Sequence, residues 1–189
     1  MPMHKTLKAV CVILAIALLS VAIGLLAQHF KEKYDLANHP KEYSEYVEKY
    51  ADMYKVPEAI CYSVIKCESS FNSAAVSTSG AVGLMQIMPD TFDYLCNLAE
   101  EEHETGLLYD PETNIRFGIF YLSVLYERFG IWENVFAAYN CGPSRVSEWI
   151  ENGMIDEDGK LTEIPIEQTA TYVKRVTNAI EKYENLYYQ

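Results

Sequence analysis

Apolar positions fall along this chain in two regimes, one unbroken block near the N-terminus and then a long stretch of helical spacing. Residues 9–27 (AVCVILAIALLSVAIGLLA) contain no charged side chain. At ~1.5 Å per helical residue such a block reaches across the ~30 Å hydrocarbon layer of a membrane. Lys5 and Lys8 precede it, which predicts a cytoplasmic segment 1–8 and puts the rest of the chain outside the cytoplasm, while Lys31 and Lys33 reduce the asymmetry. The block is longer than the apolar core of a cleavable signal, and Leu25-Leu26-Ala27 is a poor small-x-small cleavage site. An uncleaved single-pass anchor over 9–27 is therefore the first reading, and secretion after signal cleavage the second. No Cys stands after the block where a lipoprotein would need one. Residues 28–40 are polar and aperiodic, which predicts a juxtamembrane linker ending at Pro40, and the folded domain is expected over residues 41–189.

Within that domain Tyr43, Tyr46, Val47, Tyr50 and Tyr54 recur at helical spacing. Pro57 stands where the next helix, expected to reach about Glu68, can start without an N–H. Pro89 and Asp90 open a segment with Phe92, Leu95 and Cys96 on one side, and the acidic run Glu100 to Glu104 after it is expected as a solvated loop. Asp110 is placed to cap a helix beginning at Pro111. Its apolar stripe is Ile115, Gly118, Ile119, Leu122, Leu125, Tyr126 and Phe129, it ends at Gly130, and it is expected to be core. A short helix should cover Trp132 to Tyr139, another should carry Val146, Trp149 and Ile150, and a long last one should carry Tyr172, Val173, Val176, Ile180, Tyr183 and Tyr187. The only strand-like signal lies between Met154 and Ile164, with Asp158-Gly159 as its hairpin turn. The expected fold is mainly α with one small hairpin, preceded by one transmembrane helix.

Composition narrows the function. The 189 residues are 50% hydrophobic and 22% charged, as suits one folded domain. The formal charge of −12 excludes a basic footprint for nucleic acid and reads as a solubilising surface. His4, His29 and His39 precede the domain and His103 sits in the acidic run, so neither a Ser-His-Asp site nor a His-based zinc site has its imidazole. Cys11 lies in the apolar block. Cys61, Cys67, Cys96 and Cys141 could form two disulfides in three connectivities or stay buried thiols, and spacing does not choose. No cofactor or metal is implied.

Cys61, Val64, Ile65 and Glu68 sit at i, i+3, i+4 and i+7, so Glu68 shares a stripe that should be buried. Packing does not ask for a carboxylate there. Desolvation disfavours its ionised form and raises its pKa, which suits a general acid near neutrality. After Glu68-Ser69 come Ser77 and then Gly83-Leu84-Met85-Gln86-Ile87-Met88, a loop whose glycines allow close backbone approach and whose Gln86 can both donate and accept. Farther on, Ala138-Tyr139-Asn140 supplies a phenol and an amide.

With Glu-Ser, Gly-Leu-Met-Gln and Ala-Tyr-Asn in this order and spacing, the chain from about Tyr50 to Val176 resembles the lytic transglycosylases of the soluble type, distant relatives of goose-type lysozyme. The resemblance implies a lysozyme-like helical domain that cleaves the β-1,4 bond between N-acetylmuramic acid and N-acetylglucosamine in bacterial peptidoglycan, leaving a 1,6-anhydromuramic end. It implies Glu68 as the single acid and base, and Ser69, Ser77, Gly83, Gln86 and Met88 around the sugar chain. It further implies Tyr139 as the phenol that hydrogen-bonds the catalytic carboxyl, with Asn140 beside it. The partners implied are glycan strands, the bacterial cell membrane through the N-terminal helix, and a secretion, conjugation or sporulation machine.

Two departures from that pattern stand out. Gln168-Thr169 replaces the family's usual Glu-Thr, removing a charge that bears on Glu68, while Tyr172 remains and lines either the site or the core. Cys67 and Cys141 flank Glu68 and Asn140, where a disulfide would brace the cleft. Of the 15 tyrosines, only Tyr139 and Tyr172 are assigned to the cleft, with Tyr46, Tyr126 and Tyr183 expected in the core. A water-using muramidase and a silent glycan-binding module are the alternatives, the second disfavoured by the joint presence of Glu68, Gln86, Tyr139 and Asn140.

Overall fold

The computed structural model describes residues 3–101 and 104–188. The chain divides into two compact units, one ending at Pro40 and one beginning at Lys41.

The first unit is a single helix, α1 (Met3–Asn38), of which Ile13–Asn38 is long and apolar enough to cross a membrane. The helix does not stop at Ala27. Residues 28–38, expected as an aperiodic linker, continue it, because no Gly or Pro interrupts the chain between Gly24 and Pro40 and local bonds support the extension. Gln28 donates to the Glu32 carboxylate one turn on, and Asn38 donates to the Tyr34 carbonyl. Pro40 then disfavours helical backbone at the residue before it.

The second unit contains α2 (Ser44–Tyr54), α3 (Glu58–Ser69), α4 (Pro89–Leu98), a short 3-10 helix (Thr105–Tyr109), α5 (Pro111–Phe129), α6 (Trp132–Cys141), α7 (Pro143–Glu151) and α8 (Glu167–Tyr187). Helix α5 obeys the sequence rules at both ends. The Asp110 carboxylate accepts from Thr113 N, and Gly130 closes the helix in the left-handed conformation. Helix α3 lies against α8, α2 against α5, and α6 against α5, α7 and α8. Tyr62 of α3 stacks on Tyr183 of α8 with ring centroids 5.5 Å apart, and Phe92 of α4 meets Phe117 of α5 edge-on at 4.9 Å. Val64, Ile65, Leu84, Ile119, Leu122 and Val176 are fully buried at the centre.

Three local expectations are corrected. Tyr126 is 40% exposed, because it sits at the edge of the α5 stripe and stacks on Trp132 instead of entering the core. The hairpin reduces to a single bridge, Ile155 to Leu161, because the Asp156 side chain accepts from the amides of Asp158 and Lys160 and closes a tight turn too short for a ladder. Asn134 of α6 holds this turn, donating to Gly159 O and accepting from Leu161 N. In the acidic run Glu101 is not free in solvent, since the Arg116 guanidinium of α5 grips its carboxylate through both terminal nitrogens. Glu102 and His103 lie outside the described residues.

Gly118 shows how closely the loop before α4 is seated. A Cβ added there would lie 2.7 Å from Met85 Cβ. Gly118→Ala is therefore expected to destabilise the domain by about 1–3 kcal/mol through overpacking, read as a lower urea midpoint with unchanged slope.

Candidate active site

Glu68 rides the last turn of α3 on a stripe whose other members, Cys61, Val64 and Ile65, are fully buried. Burial pushes its pKa up to about 7, with the Tyr172 hydroxyl and the Arg175 charge pulling the other way. Both of those residues belong to α8, which packs against α3. Tyr172 is 5% exposed and its hydroxyl has no hydrogen-bond partner of good geometry, although it faces the Glu68 carboxyl closely enough for each to shift the other. Arg175 Nη2 donates to the carbonyl of Cys67 at 2.8 Å, filling one of the acceptors left open at the C-terminus of α3.

The loop from Val82 to Met88 forms the next wall, and its organiser is Asn114 in the first turn of α5. Fully buried, Asn114 accepts from Met85 N at 2.8 Å and donates to the carbonyls of Val82 (2.9 Å) and Leu108 (2.8 Å). Gly83 is required there. It sits at φ 80°, and a Cβ would come within 2.7 Å of the Leu108 carbonyl oxygen. The loop is tied to α3 by Ser69, whose hydroxyl donates to Leu84 O at 2.8 Å, and to α6 by Tyr139, whose hydroxyl donates to Met85 O at 2.7 Å. Gln86 takes a left-handed backbone (φ 49°), folds its Nε2 onto the carbonyls of Ala75 and Gly83, and leaves Oε1 available to a ligand.

Asn140, at the end of α6, accepts from the buried Thr169 hydroxyl of α8 at 2.9 Å. The cavities along this face form a chain. A cleft of about 500 Å³ contains Glu68, Cys67, Gln168, Tyr172 and Arg175. It shares Asn140 with a second cavity of about 300 Å³ that contains Gln86, Met88 and Tyr139. The second shares Thr91, Tyr121 and Pro143 with a third of about 630 Å³, which adds Tyr94, Asp90 and Arg128. Glu68 lies in the first of these three neighbouring cavities. Among the described residues no three His, Cys, Asp or Glu side chains converge as a metal site.

The structure thus brings together Glu68, Gln86, Met88, Tyr139, Asn140 and Tyr172. Three other residues expected to touch sugar also have structural work. Gly83 is buried, and Ser69 binds a loop carbonyl. The Ser77 hydroxyl accepts from Ala81 N and closes a turn. Tyr139 does not donate to Glu68, because its single proton goes to Met85 O, although its oxygen can still accept from a protonated carboxyl. Cys67 and Cys141 are both free thiols and no disulfide braces the cleft. Arg175, Asn114, Tyr94 and Tyr121 were missed by sequence reasoning. Asn114 carried the same signal as Glu68, a polar side chain on an apolar helical stripe, while the tyrosines carried none beyond helical spacing.

Residues 45–161 match the family model described as "Transglycosylase SLT domain". The soluble lytic murein transglycosylase of Escherichia coli K12 is 36% identical over 159 residues, covering 81% of this chain and 24% of that protein. The membrane-bound lytic murein transglycosylase C of Actinobacillus pleuropneumoniae serotype 5b is 28% identical over 187 residues, covering 86% of this chain and 50% of that protein. Among solved structures, the 70 kDa soluble lytic transglycosylase of E. coli superposes with a TM-score of 0.71 at 35% identity, covering 78% of this chain and 25% of that one. A complex of a 70 kDa soluble lytic transglycosylase with bulgecin A gives 0.73 at 33% identity, covering 80% and 25%. The chain spans about a quarter of the length of the soluble relatives and half that of the membrane-bound one.

Proposed function

Because the chain belongs to the transglycosylase SLT domain family, we propose that it cleaves the glycan strands of peptidoglycan, with Glu68 as the single acid and base and a 1,6-anhydromuramic end as product. The observation that carries this reading is a largely buried carboxyl with its pKa near 7, in a cleft that shares Asn140 with a second cavity lined by Gln86, Met88 and Tyr139. Protonated Glu68 donates to the glycosidic oxygen while the C1–O bond breaks and positive charge develops at the muramic C1. The resulting carboxylate accepts the C6 hydroxyl proton as O6 bonds to C1. Glu68 ends protonated again, and no water is consumed.

The Tyr172 hydroxyl, lacking a partner beside Glu68, is placed to donate to the carboxylate formed midway. Tyr139 holds the loop that bears Gln86, while Gln86 Oε1 and Asn140 offer polar contacts to N-acetyl and hydroxyl groups. One observation favours a water-using muramidase instead, since Glu167 lines the same cleft as Glu68 and provides a second carboxylate. Under the lyase reading Glu167→Gln keeps substantial activity, and under the muramidase reading it abolishes it.

Membrane attachment through α1 is part of the proposal, supported by its length and apolar character and by a relative named as membrane-bound. The catalytic unit then works outside the cytoplasm, tethered near the wall. The test is release of soluble fragments from purified peptidoglycan by the full chain in detergent, beside chitin as a polymer without muramic acid. Release from peptidoglycan alone supports the reading, and equal release from chitin removes the requirement for muramic acid. The rate is expected to decline with a single limb near pH 7, because only enzyme carrying the Glu68 proton can start the reaction. A rate flat to pH 9 contradicts Glu68 as the acid.

A further inference from the structure

We infer that Arg175 is a positioning residue that holds the Glu68 carboxyl in place and supplies the positive charge that lets one residue serve as acid and then base. This rests on the lyase reading above.

Arg175 and Glu68 line one cleft, on α8 and α3 respectively. The guanidinium is anchored 2.8 Å from the carbonyl of Cys67, the residue next to Glu68, across a separation of 108 residues. That carbonyl belongs to the negative end of the α3 dipole, the least favourable place on a helix for a carboxylate to form. A single hydrogen bond from Arg175 satisfies the open acceptor, opposes the dipole and fixes the last turn that carries Glu68. One nitrogen is used there, and the rest of the planar fork stays beside the cleft.

The other groups that face Glu68 do not replace it. Tyr139 of α6 and Tyr172 of α8 are neutral phenols whose own ionisation burial makes harder. The neighbouring thiol of Cys67 is likewise pushed towards its neutral form. Glu167, the other acid in the cleft, has the wrong sign. Among the described residues Arg175 is the one cation acting on the carboxyl, and it opposes the burial that raises the pKa. Without it Glu68 would donate its proton poorly at neutral pH. Gln168 fits the same picture, since a carboxylate at that position would sit in the cleft with Arg175 and offset its charge.

Three variants of the full chain separate charge from structure. Arg175→Gln keeps a donor for the Cys67 carbonyl and loses the charge, and the alkaline limb of fragment release should move up by roughly one pH unit. Arg175→Lys keeps the charge, and its limb should coincide with that of the parent. Arg175→Met loses the charge at similar bulk and should move the limb in the same direction as Arg175→Gln, which decides the matter should that variant fail to fold. A purely structural Arg175 would lower the melting temperature and leave all limbs together, and that outcome overturns the inference. If the parent chain releases nothing, the functional reading fails by itself. The titration of Glu68 followed by carboxyl 13C NMR in the same variants then tests Arg175 independently, an unmoved midpoint overturning its role.

Discussion

Glu68→Gln is expected to slow fragment release by about three orders of magnitude while making the fold more stable at neutral pH. The catalytic loss comes from general acid catalysis, worth roughly 10²–10⁴ in rate, in a site where no other group is placed to take over both proton transfers. The stability gain comes from the same burial. The folded carboxyl has its pKa raised from 4.5 to about 7, so between these values the folded state holds a proton that the unfolded chain has already lost. Its contribution is therefore intact below about pH 4.5, falls as pH rises through the window to 7, and above that leaves a cost on the order of 3 kcal/mol. Gln does not titrate and escapes this cost. At pH 8 the variant should melt roughly 5–10 °C above the parent, and at pH 5 the two should nearly coincide. Equal melting temperatures at pH 8 would mean that Glu68 is not buried as described.

Asn114→Leu should be the most damaging substitution away from the carboxyl. Its side chain has the same branching, though more bulk, and removes three buried hydrogen bonds at once, leaving Met85 N and the carbonyls of Val82 and Leu108 without partners. Each orphaned group costs about 1–3 kcal/mol, and with partial relaxation the total should be about 3–5 kcal/mol, lowering the melting temperature by roughly 10 °C. Activity should fall with stability, because Met85 is the residue whose carbonyl anchors Tyr139 and whose neighbour is Gln86. Asn114→Asp discriminates the cause. It keeps the acceptor for Met85 N but buries a charge against the Val82 and Leu108 carbonyls, so its loss should deepen as pH rises, whereas that of Asn114→Leu should not.

The helices were legible because their signals are local. Pro111 and Gly130 bracket α5, Asp110 caps it, and the stripe through Ile115, Ile119 and Leu122 is fully buried as its period requires. Glu68 was legible for the opposite reason, as a charged residue that packing alone would not place on such a stripe. What escaped depends on partners far away in sequence. Tyr139 reads as a partner for the carboxyl until the fold puts the Met85 carbonyl 2.7 Å from its hydroxyl. Nothing near Arg175 announces Cys67, 108 residues earlier, as its acceptor. Ser69 and Ser77 illustrate the same limit from the other side. A hydroxyl in a loop motif can bind substrate, close the loop or do both, and only the positions of Leu84 O and Ala81 N show that these two close it. Residues 28–38 are helical where irregular chain is expected, because a polar run of helix-forming residues without Gly or Pro extends α1 to Asn38.

Whether Glu68 alone generates an anhydro end is decided by mass spectrometry of the muropeptides released from purified peptidoglycan by the full chain in detergent, beside its Glu68→Gln variant. The expected products are lighter by one water than reducing-end muropeptides, present with the parent and absent with the variant. Reducing-end products, or anhydro products that persist when Glu68 is replaced, would contradict that role.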